Sequence, residues 1–285
     1  MTAARAIPER PVALTMAGSD SGGGAGIQAD LRTFNAFGAH GVCVITAITA
    51  QNPRGVTGVG AVAPCLVRQQ IDAVLEAFTV GAAKTGMLFN AATIRAVAAA
   101  LATRPGLPLV VDPVMVATSG ARLLRDDAVA VLVSRLLPRA IVVTPNLPEA
   151  ELLAGRPLRT PQARRAAVRG LAARFGGHVL LKGGHDPKDP ATDLLAAPDG
   201  TLWRLAAPPV RQPLSTHGTG CTLSAAIAAG LARQASLLEA VRAAKAYVAA
   251  AIAAGVRVGP ETFAMGVPGA FDPATVTIDQ LDAGA

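Results

Sequence analysis

A glycine-rich segment in front of a helical stretch is the part of the sequence best suited to chemistry on an anion. Ser215-Thr216-His217-Gly218-Thr219-Gly220-Cys221 runs straight into residues rich in Ala and Leu. Glycines at a helix start let backbone N–H groups approach an anion, and the helix terminus adds partial positive charge. A Gly-rich turn with a Thr cap would give the same sequence. We favour an anion hole for a transferred phosphoryl group, because a cap alone rarely needs two glycines and a following cysteine.

The position of Cys221 at this helix start indicates a second chemical role. A thiol at a helix N-terminus usually has a lowered pKa, so we expect Cys221 to be able to act as a base toward an attacking hydroxyl. Two common nucleotide-binding motifs do not occur in the sequence: there is no GxxxxGK[ST], and the glycines of 18–26 do not give GxGxxG in register. The sequence therefore argues against a P-loop kinase and against a dinucleotide-binding enzyme.

Asp30 is an acidic residue inside an apolar helical stripe. The stripe consists of Ile27, Leu31, Phe34 and Phe37, and Asp30 stands three residues after Ile27 and four before Phe34. Its carboxylate is therefore expected to face inward, where it needs a partner. It either supports the first turn of its own helix or accepts hydrogen bonds from ligand N–H or O–H groups, and the sequence leaves both alternatives open.

Three further charged residues carry candidate roles. Asp112 precedes Pro113, which blocks continuation of a central strand, so Asp112 is expected at the rim of a sheet, where a carboxylate near phosphates usually acts through Mg²⁺. Glu149 stands three residues after Asn146, which is the spacing of a capping box, so capping and a metal role are both open. Lys182 follows an apolar run and precedes two glycines, which favours a phosphate contact over a snorkelling lysine.

The elements that must position these residues alternate along the chain. The predicted strands are Val12–Ala17, Val42–Thr49, Val80–Lys84, Leu109–Asp112, Ile141–Thr144 and Val179–Lys182. The predicted helices are about Gly26–Phe37, Leu66–Phe78, Ala91–Thr103, Asp126–Leu137, Leu147–Ala154, Pro161–Phe175, Thr219–Arg233 and Leu237–Ala254. This alternation predicts an α/β fold with three α/β/α layers, in which helices cover both faces of a mostly parallel sheet. Thr201–Leu205 and Val210–Ser215 are predicted as edge strands of an antiparallel extension.

Composition limits the class of protein. Hydrophobic residues make up 51% of the chain, which is enough for a sizeable core. The net charge is +7, but the basic residues are scattered and no aromatics are interleaved with them, so we expect no nucleic-acid partner. The three cysteines have no paired spacing, which argues against disulfides and zinc. The start of the chain does not read as a secretory signal, and Ala246–Val256 is too short to span a bilayer. We expect a cytoplasmic protein without a membrane partner.

A series of motifs in chain order resembles the hydroxymethylpyrimidine/phosphomethylpyrimidine kinases of thiamine biosynthesis, within the ribokinase-like superfamily. The motifs are Ala17–Asp30, Thr46–Asn52, Lys84–Met87, Val111–Met115, Thr144–Ala150, Leu181–His185 and Thr216–Ala225. The resemblance implies a ribokinase-like fold, a single kinase domain over 1–285 with its core at about 12–254, and a homodimer. It implies ATP and Mg²⁺, and phosphorylation of 4-amino-5-hydroxymethyl-2-methylpyrimidine and then of its monophosphate. It gives no role for 255–285.

The resemblance also implies roles for individual residues. The pyrimidine site would consist of Gly18, Asp30, Gln51, Met87 and Val114. The catalytic residues would be Lys182, Gly218, Thr219, Gly220 and Cys221. The nucleotide site would include Asn146, Lys182, Thr216, Gly220 and Lys245, and Asp112 and Glu149 would hold Mg²⁺ through water. Cys221 stands where related sugar kinases carry an Asp base, which argues against a sugar kinase. A pyridoxal or pyridoxine kinase and a non-catalytic pyrimidine-binding protein remain open.

Overall fold

The computed structural model describes residues 9–115, 123–184 and 191–281. His185 of the predicted motif and both ends of the predicted 1–285 domain lie outside these residues. The strands are β1 (Val12–Asp20), β2 (His40–Asn52), β3 (Gly55–Ala61), β4 (Val80–Thr85), β5 (Leu109–Val111), β6 (Val142–Val143), β7 (His178–Leu181), β8 (Thr192–Ala196), β9 (Leu202–Ala206), β10 (Val256–Gly259), β11 (Thr262–Ala264) and β12 (Thr277–Leu281). The helices are α1 (Gly26–Ala36), α2 (Pro64–Ala77), α3 (Ala91–Leu101), α4 (Asp126–Val131), α5 (Leu147–Ala154), α6 (Pro161–Phe175), α7 (Thr219–Ala232) and α8 (Leu237–Ala253).

A ten-stranded sheet runs in the order β12-β9-β8-β7-β6-β5-β4-β1-β2-β3, and β10 and β11 form a separate hairpin. Neighbours from β2 through β1 and β4 to β7 are parallel, whereas β3, β8, β9 and β12 pair antiparallel. The predicted mostly parallel sheet is confirmed. The segment after 254, for which no role was predicted, supplies the hairpin and an outer strand of the main sheet.

Helices cover both faces of the sheet, as predicted. Successive strand residues point to opposite faces, so Leu14 and Met16 belong to the apolar core that includes α2 to α6, whereas Ala13 belongs to the one that includes α1, α7 and α8. Helix α7 is buried from Thr222 to Ala232 and is rich in alanine, which allows close packing on the sheet. Its axis is therefore fixed by the core, and so is the position of its N-terminus. No helix within the described ranges is long and apolar enough to cross a membrane.

The antiparallel extension differs from the prediction at one segment. Thr201–Leu205 is confirmed as β9, but Val210–Ser215 forms no strand. Both edges of β9 are already paired, with β8 and β12, so Val210–Ser215 does not pair with β9. Pro213 also lacks the N–H that a ladder needs, and Gln212 has a φ of 50°. The prediction of a second edge strand at this place is therefore wrong.

The chain reverses its direction of winding at β1. This strand pairs with β2 on one side and with β4 on the other. In open α/β sheets, ligands bind beyond the carboxyl ends of the strands at such a switch point. The place to look for a site is therefore the rim at which β1 and β4 end.

Candidate active site

The N-terminus of α7 lies against two charged residues of the strand rim. Gly218 is the N-cap with a φ of 85°, and its Cα packs closely on the carbonyl of Gly24. A Cβ placed on Gly220 would lie 3.3 Å from Nζ of Lys182 and 3.6 Å from Oδ2 of Asp112. The glycine therefore leaves room between the helix start and these side chains. The structure brings the helix start and Lys182 together, and the role as an anion hole stays a prediction.

The turn before α7 is held by Thr216. Its carbonyl accepts hydrogen bonds from the N–H of Thr219 at 3.3 Å and from Oγ1 of Thr219 at 3.0 Å. Thr216 itself is exposed. The Thr219 hydroxyl is thus used within the turn in this structure, while the Thr216 side chain faces outward at the edge of the site.

Lys182 lies between two carboxylates, Asp112 directly after β5 and Glu149 in the first turn of α5. Its Nζ lies 2.8 Å from Oδ1 of Asp112 and 4.0 Å from Oε2 of Glu149. Burial lowers the pKa of Lys182, but Asp112 and Glu149 outweigh burial and hold that pKa above its usual value. Burial raises the pKa of Glu149, and the neighbouring Asp112 adds to this, against the opposing effect of Lys182. Lys182 is therefore a firmly held cation at the rim.

The capping interpretation of Asn146 and Glu149 is confirmed. The side chain of Asn146 accepts a hydrogen bond from the Glu149 N–H at 2.9 Å, and Oε2 of Glu149 accepts one from the Asn146 N–H at 2.8 Å. Oε1 of Glu149 accepts a further bond from the N–H of Met115 at 3.1 Å. Glu149 thus ties the loops after β5 and β6 together beside Lys182.

Two carboxylates near a phosphate site suit Mg²⁺, which prefers oxygen ligands and retains several waters. Within the described residues, no group of three or more His, Cys, Asp and Glu side chains could hold a metal ion alone. Both oxygens of Glu149 already accept backbone bonds, whereas Oδ2 of Asp112 has only a long contact of 3.4 Å with Ser224. The donor set therefore fits an ion held mainly by water and phosphates, with Asp112 the better direct ligand.

Cys221 does not have the lowered pKa that its position predicted. Burial raises the pKa of its thiol to about 11, against the opposing effect of nearby Lys84, while Asp30 and Asp112 raise it further. The helix start offers too little positive charge to offset loss of water and two neighbouring carboxylates. The prediction of an acidic thiol is therefore wrong, and at neutral pH Cys221 carries its proton.

Asp30 faces inward, as its place in the apolar stripe predicted, but it meets a protein partner. Its Oδ1 lies 2.9 Å from Nζ of Lys84 and its Oδ2 accepts a hydrogen bond from Thr15 at 2.6 Å. Both Asp30 and Lys84 have no exposed side-chain surface. Burial lowers the pKa of Lys84, but Asp30 outweighs this and raises it. Asp30 is a buried partner of Lys84 in this structure, and its contact with a ligand stays a prediction.

Three of the predicted pyrimidine residues surround the switch point. A Cβ on Gly18 would lie 3.2 Å from the sulfur of Met87, so the end of β1 and the residue after Gly86 are in close contact. Met87 forms a small apolar cluster with Ala47 and Leu123, against which Val114 packs. Val114 has a φ of 41°, which is rare for a β-branched residue and is typical of functional loops. Gly18, Met87 and Val114 are therefore brought together.

Gln51 lies at the end of β2, one strand further along. Its backbone N–H donates to Oγ of Ser21 at 2.8 Å and its carbonyl accepts from the same hydroxyl at 2.7 Å. The side-chain Oε1 accepts from Thr49 at 3.2 Å. These bonds attach the glycine-rich loop after β1 to the end of β2 and leave Gln51 half-buried beside that loop.

The predictions missed an interaction between Asp20 and His217. The carboxylate of Asp20 accepts bonds from the N–H groups of Gly22, Gly24 and Ala25 and lies 3.2 Å from Nε2 of His217. Burial raises the pKa of Asp20, but His217 and the backbone donors outweigh burial and lower it. This pair joins the loop after β1 to the turn before α7. An aspartate followed by several glycines is a sequence signal for such a loop. No sequence signal identifies its partner His217, which is 197 positions away.

Lys245 was expected in the nucleotide site, but it is bound elsewhere. Its Nζ lies 2.8 Å from Oδ2 of Asp193, and only 9% of its side chain is exposed. The ammonium is thus engaged by a buried carboxylate of β8 rather than offered to a nucleotide. The nucleotide contact predicted for Lys245 stays a prediction.

Comparison with known proteins decides the family. Residues 20–266 match the family described as phosphomethylpyrimidine kinase. The chain belongs to this family. It is 56% identical over 247 residues to the hydroxymethylpyrimidine/phosphomethylpyrimidine kinase of Rhizobium meliloti (strain 1021). The aligned region covers 86% of this chain and 92% of the relative. The resemblance inferred from the sequence motifs is therefore confirmed.

Solved structures of phosphomethylpyrimidine kinases and pyridoxal kinases share the fold. The phosphomethylpyrimidine kinase of Clostridium difficile 630 is 38% identical, with a TM-score of 0.74 over 84% of this chain and 98% of that chain. The pyridoxal kinase of Bacillus subtilis, solved as an ADP complex, is 34% identical, with a TM-score of 0.83 over 91% of this chain and 98% of that chain. The ribokinase-like kinase fold is thus confirmed.

Proposed function

We propose that this phosphomethylpyrimidine kinase family member transfers the γ-phosphoryl group of ATP to the hydroxymethyl oxygen of 4-amino-5-hydroxymethyl-2-methylpyrimidine, and then to the resulting monophosphate. In each step a bond forms between the acceptor oxygen and the γ-phosphorus, and the bond between that phosphorus and the leaving oxygen of ADP breaks. The acceptor oxygen loses one proton to the surroundings. The observation that carries the proposal is the room that Gly220 leaves between the α7 start, Lys182 and Asp112.

The acceptor would lie at the switch point. Gly18, Met87 and Val114 offer an apolar surface for a flat ring, and Gln51 offers an amide that can pair with ring nitrogen or amino groups. The nucleotide would lie toward β6 and β7, with Asn146 and Thr216 as nucleotide contacts. In this arrangement the hydroxymethyl group points at the start of α7.

The transferred group would be received by Gly218, Thr219 and Gly220, whose N–H groups stand at the positive end of α7. Lys182 would balance the charge on the phosphates, and it is already held protonated by Asp112 and Glu149. Phosphoryl transfer depends mainly on positioning and charge stabilisation, so a strong base is not required. Cys221, with a pKa of about 11, would contact the acceptor as a neutral thiol.

Mg²⁺ would be held by Asp112, with Glu149 acting through water, and when bound it would neutralise negative charge on the phosphates. The ammonium of Lys182 occupies Oδ1 of Asp112, so Oδ2 would be the oxygen left for the ion.

The test is a comparison of three acceptors. ADP release would be followed by a coupled assay with the pyrimidine alcohol, its monophosphate and pyridoxal, and the products would be identified by ³¹P NMR. We expect kcat/KM for the pyrimidine alcohol to exceed that for pyridoxal by about tenfold or more. Conversion of the monophosphate to a diphosphate would establish the second step. Lys182→Met serves as the control and should lose about 100-fold or more in kcat.

A higher kcat/KM for pyridoxal would overturn the substrate assignment in favour of a pyridoxal kinase, the activity named for several structural neighbours. Binding of the pyrimidine without ADP release would instead support the non-catalytic alternative.

We also propose that the protein is a homodimer and that it is located in the cytoplasm. Among the described residues, the outer strand β3 has no partner strand on its far edge, and Ile48 on the adjacent β2 is 59% exposed. Such an edge suits pairing with a second copy of the chain. Sedimentation velocity would show a dimer, and a monomer at micromolar concentration would contradict it. A location in the cytoplasm agrees with the use of ATP.

A further inference from the structure

The turn that carries Lys182 is held from behind by a buried ion pair. Asp193 of β8 accepts a hydrogen bond from the N–H of Gly183 on its Oδ1 at 2.7 Å. Its Oδ2 lies 2.8 Å from Nζ of Lys245 on α8. The two side chains are 7% and 9% exposed. One carboxylate therefore connects α8 to the residue directly after Lys182.

The backbone around Lys182 is fixed on both sides of this contact. The N–H of Lys182 donates to the carbonyl of Pro145 at 2.9 Å, which holds it against the loop after β6. Gly183 packs so closely on the carbonyl of Thr192 that a Cβ would overlap it. The register of β7 with β8 pairs Leu181 with Leu194, which puts Asp193 next in line beside Lys182.

Burying this ion pair costs desolvation free energy, because both charges have lost their contact with water. A buried ion pair gains little over an apolar pair of similar volume, so it is retained where direction and register matter. Here the carboxylate reaches two partners at once, and neither is a ligand. The direction of the Lys182 side chain toward Asp112 and the α7 start follows from the backbone at Gly183.

We propose that Asp193 and Lys245 are positioning residues for Lys182: the Lys245 ammonium orients the Asp193 carboxylate, which fixes the Gly183 N–H and thereby aims Lys182 at the transferred phosphoryl group. The proposal rests on the proposed kinase function. It also gives Lys245 a role through the protein and not through contact with the nucleotide.

Two double variants separate this role from plain stabilisation. Asp193→Asn/Lys245→Met removes both charges but keeps a side-chain oxygen that can accept from Gly183. Asp193→Ala/Lys245→Met removes both charges and that acceptor. Neither leaves an unpaired buried charge, so both should fold, which thermal unfolding would check. We expect the Asn variant to keep kcat within about fivefold of the wild type. The Ala variant should lose about 10- to 100-fold in kcat, because Lys182 is no longer held in place.

The KM for the pyrimidine alcohol should be the same in both double variants, because the pyrimidine site is formed by other strands. Equal kcat values for two folded double variants would overturn the proposal. So would an equal rise in the KM for ATP in both variants with kcat unchanged, since that result would mean direct contact between Lys245 and the nucleotide.

Failure of the proposed function would look different, because the wild type itself would then not turn over the pyrimidine. The positioning role would in that case be tested by calorimetric titration with ATP. A Kd raised about tenfold in the Ala variant relative to the Asn variant would support it, and equal Kd values would refute it.

Discussion

Gly220→Ala probes the space between the start of α7 and the two charged residues of the rim with a single methyl group. The added carbon would lie 3.3 Å from Nζ of Lys182 and 3.6 Å from Oδ2 of Asp112. A comfortable separation between a carbon and another heavy atom is about 3.5–4.0 Å, so the methyl touches both groups and fills the volume proposed for the phosphoryl group. Gly220 lies inside α7 and does not have a positive φ, so alanine fits its backbone.

The expected cost follows from what the methyl displaces. A backbone donor that stabilises a transition-state oxygen works at about 2.7–3.1 Å and is worth ~3 kcal/mol. Displacing the phosphoryl group by about 1 Å loses that contact and misaligns the attack, so kcat should fall about 100-fold. The unfolding free energy should remain unchanged or rise by up to ~1 kcal/mol, because alanine favours a helix more than glycine does. Activity and stability are thus expected to move in opposite directions.

The assay compares this variant with Gly170→Ala. Gly170 lies in α6, where an added Cβ would meet nothing within 4 Å. This control should gain up to ~1 kcal/mol of stability with no change in kcat. Both variants would be measured by coupled ADP release, by calorimetric titration with the pyrimidine and by urea unfolding. A Gly220→Ala enzyme with kcat within about threefold of the wild type would refute the anion hole and leave the loop as a helix cap.

Two further predictions concern buried titratable groups near the site, the thiol of Cys221 and the ion pair of Asp30 with Lys84. In a Cys65→Ser background, alkylation of Cys221 by iodoacetamide should be slow at neutral pH and should accelerate only toward its pKa of about 11; rapid alkylation at pH 7 by mass spectrometry would contradict the raised pKa. Asp30→Asn or Lys84→Met alone should lower the unfolding free energy by ~3–5 kcal/mol, because each leaves the other charge buried and unpaired. The double variant should recover most of this loss in urea unfolding, whereas simple addition of the two losses would mean that the pair is not coupled.

Much of the fold could be predicted because most of its parallel strands are largely buried on both faces. The parallel strands read as continuous apolar runs, so β1, β2, β4, β5, β6 and β7 were all recognised. The missed strands are different in kind. Strand β8 contains the charged Asp193, and β12 belongs to a segment whose polar residues give no clear alternation. Both strands pair with β9, so their formation depends on tertiary structure. Val210–Ser215 does not pair with β9 and forms no strand.

The sequence predicted which residues of the candidate site lie at the rim of the sheet. It did not predict which of these residues contact one another. The lysines at 84, 182 and 245 are each bonded to an aspartate, at separations of 54, 70 and 52 residues. Sequence spacing contains no information on such pairs, because they depend on which strands become neighbours. Periodicity did establish that Asp30 faces inward, and only the register of β1 with β4 brings Lys84 to it.

The three lysines also show why residue type alone does not identify a phosphate contact. All three are largely buried and all three are held by a carboxylate, so burial and pairing do not distinguish them. Lys182 differs in that its ammonium faces the start of α7 across Gly220, where an anion would feel both the lysine and the helix terminus. Lys84 lies below this space with no exposed side-chain surface, and Lys245 lies behind the turn on Asp193. Of these three lysines, Lys182 is therefore the one whose ammonium is placed to meet a phosphate at the start of α7.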